Sequence, residues 1–327
     1  VGSEMCIRDR PYFKRDERNM LDCDALVLDE LSMVDSKLFE SVLRALPMGC
    51  RLIMVGDSDQ LPSVGAGNVL GDLIASGAVP VVALTEIFRQ SMKSLIVTNA
   101  HKIVKGEMPD LNIHNKDFFF LPCSSADKIT ETIIGLCKDR LPKSYGYSAM
   151  TDIQVLCPGR KGLLGVIELN KKLQEVLNPP IGTNLDLNIG TYSLRYGDKV
   201  MQIRNNYDLI WTRGDDDDGE GVFNGDIGTV VRVNSKAGTV SVKFDDKLVE
   251  YDRESVRDLE LAYATTVHKS QGNEFEAVIM PMFRGAPQLY YRNLLYTGVT
   301  RAKKLLILVG TPVSYTHLRA HETLANL

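Results

Sequence analysis

The segment LVLDELSMVD, residues 26–35, decides the fold of this chain because it joins an apolar strand to a polar end. Its apolar run is continuous rather than alternating, which is typical of a strand covered on both faces of a parallel sheet. Asp29 and Glu30 follow that run directly. Two carboxylates at the end of such a strand indicate a site that holds magnesium beside a nucleotide and activates water.

The segments that follow continue this texture. They predict, in order, a helix, a strand, a second helix and a third strand: DSKLFESVLRAL (35–46), RLIMVGD (51–57), VLGDLIASG (69–77) and VPVVALTE (79–86). Asp35 is placed to cap the first of these helices. Alternating strands and helices at this spacing predict a parallel sheet with covering helices. Ligands of such sheets lie at the carboxyl ends of the strands.

Polar residues follow each predicted strand of this region. Gly56, Asp57 and Gln60 come after the second strand, and Arg89 comes after the third. The Gln60 amide is placed to sense a terminal phosphate, and the Arg89 guanidinium is placed to neutralise charge on a transferred phosphoryl group. Taken singly, these features also fit a glycine-rich loop and a surface arginine, so their order along the chain carries the argument.

The rest of the chain predicts a second α/β domain with an insertion. Residues 91–141 are expected to be mostly helical, and IQVLCPGRKG (153–162) is a buried strand followed by a basic, glycine-containing turn. Short β-runs between residues 205 and 259 predict a small antiparallel β-barrel of about five strands. The predicted divisions are: 1–10, adaptor-like; 11–90, the carboxyl-terminal part of a first parallel-sheet domain; 91–204 and 260–312, the second such domain; 205–259, the inserted barrel; and 313–327, adaptor-like.

Composition agrees with a globular chain of about two domains. The 327 residues are 44% hydrophobic and 24% charged. The net charge of −4 gives no indication of nucleic-acid binding, although a local basic track would be sufficient for it. No apolar run reaches the length of a membrane span. The six cysteines form no C-x-x-C pair and are expected to be reduced thiols of a cytoplasmic protein.

Both ends of the sequence are expected to be foreign to the gene. VGSEMCIRDR (1–10) and VSYTHLRAHET (313–323) can be encoded by DNA strings that are reverse complements over most of their length. Those strings also resemble a transposon-based sequencing adaptor read in opposite directions. Residues 1–10 and 313–327 are therefore not expected to belong to either domain. We also expect a glycine-rich phosphate loop upstream, because the chain contains no G-x-x-x-x-G-K-[ST].

Six ordered motifs resemble the RecD/TraA branch of the superfamily 1 helicases. They are DELSMVD (29–35), GDSDQLPSVG (56–65), FRQ (88–90), VFNGDIGTV (222–230), ATTVHKSQGNEFE (264–276) and LLYTGVTRAKKLLILVG (294–310). The resemblance implies two RecA-like domains, of which the first is incomplete here, and a small β-barrel inserted in the second. It also implies an ATP-dependent helicase that moves 5′ to 3′ on single-stranded DNA.

The resemblance further implies a role for each matched residue. Asp29 would serve the magnesium ion, Glu30 would polarise the hydrolytic water, and Gln60 would read the γ-phosphate. Arg89 and Arg301 would act as arginine fingers. The remaining assignments are nucleotide contacts at Gly56, Asp57, Gly272 and Glu274, the last to the ribose, and DNA contacts at Ser63, Thr266, His268, Ser270 and Gln271.

Several alternatives remain open at this stage. Without a phosphate loop, the chain as it stands is expected to hydrolyse ATP inefficiently. It could be a non-catalytic nucleic-acid-binding remnant, or it could belong to an RNA-directed helicase of the same superfamily. Recombination or repair proteins are the expected partners. A nuclease module finds no support, because no spare cluster of carboxylates or histidines occurs.

Overall fold

The computed structural model describes residues 15–84, 93–112, 117–180, 186–214, 217–283 and 291–311. The chain divides into two compact units, Val1–Ser91 and Met92–Leu327. The adaptor-like ends, residues 1–10 and 313–327, and the predicted site residue Arg89 lie outside the described residues.

The first unit contains a small parallel sheet. Its elements are β1 (Ala25–Leu28), α1 (Ser36–Ala45), β2 (Arg51–Met54) and α2 (Val69–Ser76). The two strands pair in parallel, with Leu26 opposite Leu52. The Asp35 carboxylate accepts a hydrogen bond from the Leu38 amide at 2.8 Å, so the predicted cap of α1 is confirmed.

The third strand predicted in the first unit is wrong for the part of it that the structure describes. Residues 79–84 form no strand, and residues 85 and 86 lie outside the described ranges. Val82 is 87% exposed and Leu84 is 97% exposed. A strand needs a hydrogen-bonded neighbour as well as β-branched residues, and within the described residues this run has none.

Within its described residues, the second unit holds two larger sheets and five α-helices. The helices are α3 (Leu95–Val104), α4 (Ala126–Gly135), α5 (Leu141–Tyr145), α6 (Val166–Leu177) and α7 (Arg292–Val299). The strands of the parallel sheet are β3 (Phe118–Pro122), β4 (Ile153–Cys157), β14 (Ala264–Thr266), β15 (Phe275–Met282) and β16 (Ala302–Gly310). A short π-helical segment, Leu136–Arg140, joins α4 to α5.

The parallel sheet has the strand order β14-β4-β15-β16-β3. All five residues of β4 are buried, as expected for a strand covered on both faces. Strand β3 was not predicted, because residues 91–141 were expected to be mostly helical. It lies at the sheet edge and pairs in parallel with β16.

The remaining described strands build one large antiparallel sheet and a separate hairpin. They are β5 (Leu187–Ile189), β6 (Tyr192–Leu194), β7 (Lys199–Gln202), β8 (Asn206–Arg213), β9 (Asp217–Val222), β10 (Ile227–Asn234), β11 (Thr239–Phe244), β12 (Lys247–Tyr251) and β13 (Leu259–Leu261). Strands β7 to β13, residues 199–261, form one seven-stranded sheet in the order β13-β7-β10-β11-β12-β8-β9, which we call the inserted sheet. Strands β5 and β6 form a separate hairpin. The predicted α/β class, a parallel sheet with an antiparallel insertion, is therefore confirmed.

Buried polar side chains of α6 join the inserted sheet to the parallel sheet. The Asn170 amide donates to the Leu261 carbonyl at 2.7 Å and accepts from the Ala264 amide at 2.7 Å. Gln174 donates to the buried Asp198 carboxylate at 2.7 Å. Because a buried polar group left without its partner is costly, the Asn170 bonds fix the positions of β13 and β14 against α6.

Two further findings concern the described part of the chain. Its cysteines, residues 23, 50, 123, 137 and 157, are all free thiols. None of its helices combines the length and apolar character needed to cross a bilayer.

Candidate functional site

The first unit presents its two predicted carboxylates at the end of β1. Asp29 is exposed, and its Oδ1 accepts a hydrogen bond from the Glu30 amide at 2.8 Å. Glu30 adopts a left-handed backbone with φ 51° and ψ 42°. This conformation costs a non-glycine residue about 1 kcal/mol or more and tends to occur at functional sites. The turn directs the chain sharply into the 3-10 segment Leu31–Met33.

The end of β2 lies at the same edge of this small sheet. The Val55 amide donates to the Leu28 carbonyl at 2.8 Å, and the Leu31 amide donates to the Val55 carbonyl at 2.9 Å. Gly56 sits so close to this junction that a Cβ would lie 2.9 Å from Leu70 and 3.1 Å from the Leu31 nitrogen. Only glycine therefore fits between the two strand ends without a shift.

The loop after β2 carries the other candidates of the first unit. Asp57 accepts hydrogen bonds from the Asp59 amide at 3.0 Å and from Gln60 Nε2 at 3.4 Å. Gln60 is buried. The Ser63 hydroxyl donates to the Gly65 carbonyl at 3.0 Å, so it supports the turn of its own loop. The structure thus brings Asp29, Glu30 and this loop to one edge.

In the second unit, the predicted nucleic-acid residues lie at the carboxyl end of β14 and in the turn after it. Thr266 pairs in register with Cys157 at the carboxyl ends of β14 and β4. Its Oγ1 accepts a hydrogen bond from the Lys269 amide at 3.2 Å, which closes the 3-10 segment His268–Ser270. Ser270 is fully buried and donates to the Val267 carbonyl at 2.8 Å. Ser270 therefore shapes this turn.

His268 is half-buried in the same turn. Burial lowers its pKa, so the neutral imidazole is favoured near pH 7. Its Nε2 lies 3.5 Å from the Tyr291 hydroxyl. A neutral ring has one donor nitrogen, which suits a single contact to a phosphate oxygen. Gln271 follows as the last residue of the turn and is partly exposed.

The segment 267–274 runs from the side of the parallel sheet where its strands end to the opposite side, where its strands begin. Strands β14 and β15 both run parallel to β4, so this segment starts at a carboxyl end and finishes at an amino end. Gly272, with φ 78°, turns the chain. Glu274 lies at the second edge, where it is 57% exposed and pairs with Lys303 at 3.5 Å. The predicted DNA and ribose contacts therefore lie at opposite edges of one sheet.

Arg301 precedes β16 and is only 6% exposed. Its guanidinium donates to the Thr297 carbonyl at 3.3 Å, the Asn273 carbonyl at 3.2 Å and the Thr300 hydroxyl at 3.3 Å. Within the described residues no carboxylate pairs with it. A buried cation that meets only neutral oxygens retains a strong attraction for an anion.

Asn273 was not singled out from the sequence, although it stands between Gly272 and Glu274 in a quoted motif. Its carbonyl accepts from Arg301, and its side-chain amide donates to the Gly225 carbonyl of the inserted sheet at 3.2 Å. It therefore joins the buried guanidinium to the turn between β9 and β10. Its position in the motif at residues 264–276 could have indicated a functional role, but its contact with Gly225 depends on the fold.

Asp29 is a suitable ligand for magnesium. This ion takes one or two carboxylates and completes its shell with water and phosphate oxygens, and Asp29 is an exposed carboxylate at a strand end. Across the described ranges, no three histidine, cysteine, aspartate or glutamate side chains cluster as a set of metal ligands. The residues described thus fit a shared ion better than a closed protein site.

Three family models match the chain. Residues 9–118 match an AAA domain, residues 169–244 match the ATP-dependent RecD-like DNA helicase SH3 domain, and residues 261–309 match the UvrD-like helicase C-terminal domain. The second match overlaps the inserted sheet, and the third covers β14, β15, α7 and most of β16.

Curated relatives extend these matches over nearly all of the chain. The ATP-dependent RecD2 DNA helicase of Deinococcus radiodurans is 33% identical over 304 residues, covering 91% of this chain and 38% of that protein. The RecBCD enzyme subunit RecD of Mycobacterium tuberculosis is 29% identical over 315 residues, covering 92% of this chain and 52% of that protein. The chain thus spans about two fifths to one half of these relatives.

Solved structures share the fold. A Bacteroides Pif1 helicase in complex with ADP-AlF3 and ssDNA gives a TM-score of 0.54 at 19% identity, covering 98% of this chain and 81% of that one. A second structure of Bacteroides Pif1 bound to ssDNA gives 0.53 at 18% identity, covering 98% and 82%. These likenesses show the shared fold, while the family models and the curated relatives show that the chain is similar to RecD-like DNA helicases along 91–92% of its length.

Proposed function

We propose that this chain is part of an ATP-dependent DNA helicase or translocase, in which ATP hydrolysis drives movement along single-stranded DNA. The observation that carries this proposal is the Arg301 guanidinium, which is buried and, among the residues that the structure describes, is hydrogen-bonded to neutral oxygens only. Such a group is prepared for an anion, and a phosphoryl group that develops charge during transfer is a suitable one. The names of the curated relatives support the same activity.

The first unit would supply the groups that meet the phosphates and the attacking water. Asp29 would hold a magnesium ion, which supplies neutralisation of phosphate charge when it is bound. Glu30 would accept the proton of the water, and Gln60 would report the terminal phosphate. Gly56 and Asp57 would shape the loop that carries Gln60. Arg89, which lies outside the described residues, is proposed as a second cation for the same charge.

The second unit would supply the cation and the nucleic-acid contacts. Arg301 would stabilise the transferred phosphoryl group, and Glu274 would bind the ribose, with Gly272 at the turn before it. Contacts to the DNA backbone are proposed for Thr266, His268 and Gln271, and also for Ser63 of the first unit. These are donors that position a strand without reading its sequence. The buried Ser270, which was predicted as a DNA contact, would act by shaping the turn that presents them.

The segment 267–274 gives these two activities a physical connection. It joins the proposed DNA contacts at one sheet edge to Glu274, and to the Arg301–Asn273 hydrogen bond, at the other. A change in the contacts of Arg301 would therefore alter the segment that carries His268. A ligand shifts the equilibrium between two conformations of such a segment only by the difference between its affinities for them. Movement 5′ to 3′ and a role in recombination or repair are also part of this proposal, and they are supported by the resemblance of the six motifs alone.

The proposal is tested with the full-length protein by measuring ATP hydrolysis with single-stranded DNA and with RNA. We expect DNA to stimulate hydrolysis more than RNA. We expect Arg301→Ala to lower kcat about 100-fold or more, with Arg301→Lys to control for loss of packing and Arg44→Ala as an exposed control. Hydrolysis without a DNA response, or an unchanged kcat in both Arg301 variants, would contradict the proposal. Greater stimulation by RNA would favour the RNA-directed alternative, and DNA binding without hydrolysis would favour a non-catalytic binding protein.

A further inference from the structure

Two cations of the second unit share one carboxylate near Thr266. Arg160 donates to Glu260 through both terminal nitrogens, at 2.7 Å and 3.2 Å. The Lys269 ammonium donates to the same carboxylate at 3.0 Å. We call this set, Arg160, Glu260 and Lys269, the carboxylate clamp.

The carboxylate clamp joins three different parts of the chain at the carboxyl edge of the parallel sheet. Arg160 lies in the basic turn after β4, Glu260 lies in β13 of the inserted sheet, and Lys269 lies in the 3-10 turn after β14. All three line a small cavity together with Thr266. The clamp therefore occupies the edge at which ligands of parallel sheets are found, next to a proposed phosphate contact.

The charges of the clamp remain reachable from water. The Arg160 side chain is 49% exposed, and those of Glu260 and Lys269 are 23% and 25% exposed. Burial opposes the ionisation of Glu260, but its hydrogen bonds with Arg160 and Lys269 outweigh burial, so the pKa of Glu260 lies below its usual value. Partly exposed ion pairs of this kind contribute little net free energy. An incoming anion can therefore replace the carboxylate at a modest cost.

A phosphate group suits these two cations well. A guanidinium that binds a carboxylate through two nitrogens has the geometry to bind two phosphate oxygens. The adjacent ammonium adds a point charge, and Thr266 adds a hydroxyl. The larger cavity beside α6, of about 420 Å³, is also lined by Arg160 and Glu260, so the clamp lies at an opening rather than in a closed core.

We propose that Glu260 is an internal counter-anion that holds Arg160 and Lys269 until a phosphodiester of single-stranded nucleic acid takes its place. This inference rests on the proposed function, because it assigns the strand to the edge that carries Thr266. Exchange would also release β13 from the turn after β4, so the arrival of the strand would alter one connection between the inserted sheet and the parallel sheet. Glu260 thus lowers the affinity for nucleic acid and couples binding to the inserted sheet.

The test is the binding of fluorescently labelled oligothymidylate to the whole chain, followed by anisotropy over a range of salt concentrations. We expect Glu260→Gln to bind roughly threefold to tenfold more tightly, because no ion pair has to be exchanged. Arg160→Gln and Lys269→Gln should each weaken binding and lower the salt slope by about 0.7, the value for one phosphate of a single strand. In the Arg160→Gln, Lys269→Gln double variant, a further Glu260→Gln change should add little.

Asp139→Asn and Lys143→Gln are the matched controls. They alter net charge by the same amounts in a surface pair of 3.3 Å within one helical stretch of the same unit, and we expect no more than a small change in affinity. If the original chain binds oligothymidylate and Glu260→Gln binds no more tightly than Asp139→Asn, the exchange is wrong while the proposed function stands. If Glu260→Gln tightens binding equally in the double variant, simple charge repulsion accounts for it and the exchange is again wrong. A chain that binds no oligothymidylate in any variant would contradict both proposals.

Discussion

The two units carry strands of the same apolar texture but bury them to different degrees. In β2, Ile53 is 50% exposed, whereas Ile279 in β15 is completely buried. Strand β15 lies between β4 and β16, while β1 and β2 pair only with each other within the described residues. A continuous apolar run therefore indicates strand character, but the degree of burial depends on which neighbours fold against the strand.

This comparison predicts unequal costs for the same truncation in the two units. Ile279→Ala should lower the free energy of unfolding by about 2–5 kcal/mol, because it leaves a cavity between packed strands. Ile53→Ala should cost about 1 kcal/mol or less, because water already reaches the side chain. The measurement is urea unfolding followed by far-UV circular dichroism and by the fluorescence of Trp211, the single tryptophan, which lies in the second unit.

The Trp211 fluorescence reports the unfolding of the second unit alone. The urea transition followed by this fluorescence should shift to lower urea concentration with Ile279→Ala and remain unchanged with Ile53→Ala. Equal costs for the two truncations would mean that Ile53 is covered in solution, and the contrast between the units would fail.

A buried cation is expected to destabilise the better-packed second unit. Lys199 of β7 is 2% exposed and donates to the Ile153 carbonyl at 3.0 Å. Burial lowers its pKa from 10.5 to about 8, while Cys137 and Asp152 act in the opposite direction. Lys199→Met should therefore raise the free energy of unfolding near pH 7 by about 1–3 kcal/mol, because it removes the cost of burying the charge.

The pH dependence tests the cause of that gain. Between the folded pKa of about 8 and the unfolded value of 10.5, the unfolded chain holds a proton that the folded chain has lost. The stability of the original chain should therefore rise with pH across this range, and the advantage of Lys199→Met should shrink. A variant less stable at pH 7 would show that the bond to the Ile153 carbonyl outweighs the desolvation cost. The Trp211 emission again assigns the effect to the second unit.

Features that depend on neighbouring residues could be predicted from the sequence. The cap at Asp35 and the strand that ends just before Asp29 follow from local patterns, because a helix start and an apolar run each have a signature within a few residues. The left-handed backbone of Glu30 has no such signature. It arises because the chain must turn sharply between two strand ends.

Features that depend on distant residues could not be predicted in this way. The contact between Asn273 and Gly225 joins residues 48 positions apart, and Arg160 and Glu260 are 100 apart. Local pattern also gave wrong predictions where strand formation depends on a neighbouring strand. Strand β3 forms because it pairs with β16, whereas residues 79–84 have no strand partner in the described structure. The sequence could therefore identify individual candidate residues, whereas their contacts with one another depend on the fold.

The smallest expected effect comes from removing one helix cap in each unit. Asp35 accepts from the Leu38 amide at 2.8 Å at the start of α1, and Ser125 accepts from the Lys128 amide at 3.3 Å at the start of α4. Asp35→Ala and Ser125→Ala should each cost about 1 kcal/mol. Asp35 should cost somewhat more, because its shorter bond involves an ionised acceptor and its side chain packs against Gly65 in the loop after β2.

The location of these two costs decides whether the units unfold separately. Ser125→Ala should shift the Trp211 transition, whereas Asp35→Ala should shift only the part of the dichroism signal that belongs to the first unit. This outcome follows if each sheet is stabilised by its own helices, as the different burial of Ile53 and Ile279 indicates. If Asp35→Ala shifted the Trp211 transition as far as Ser125→Ala does, the two units would unfold as one cooperative body. Their different burial would then describe two regions of a single core rather than two independent stabilities.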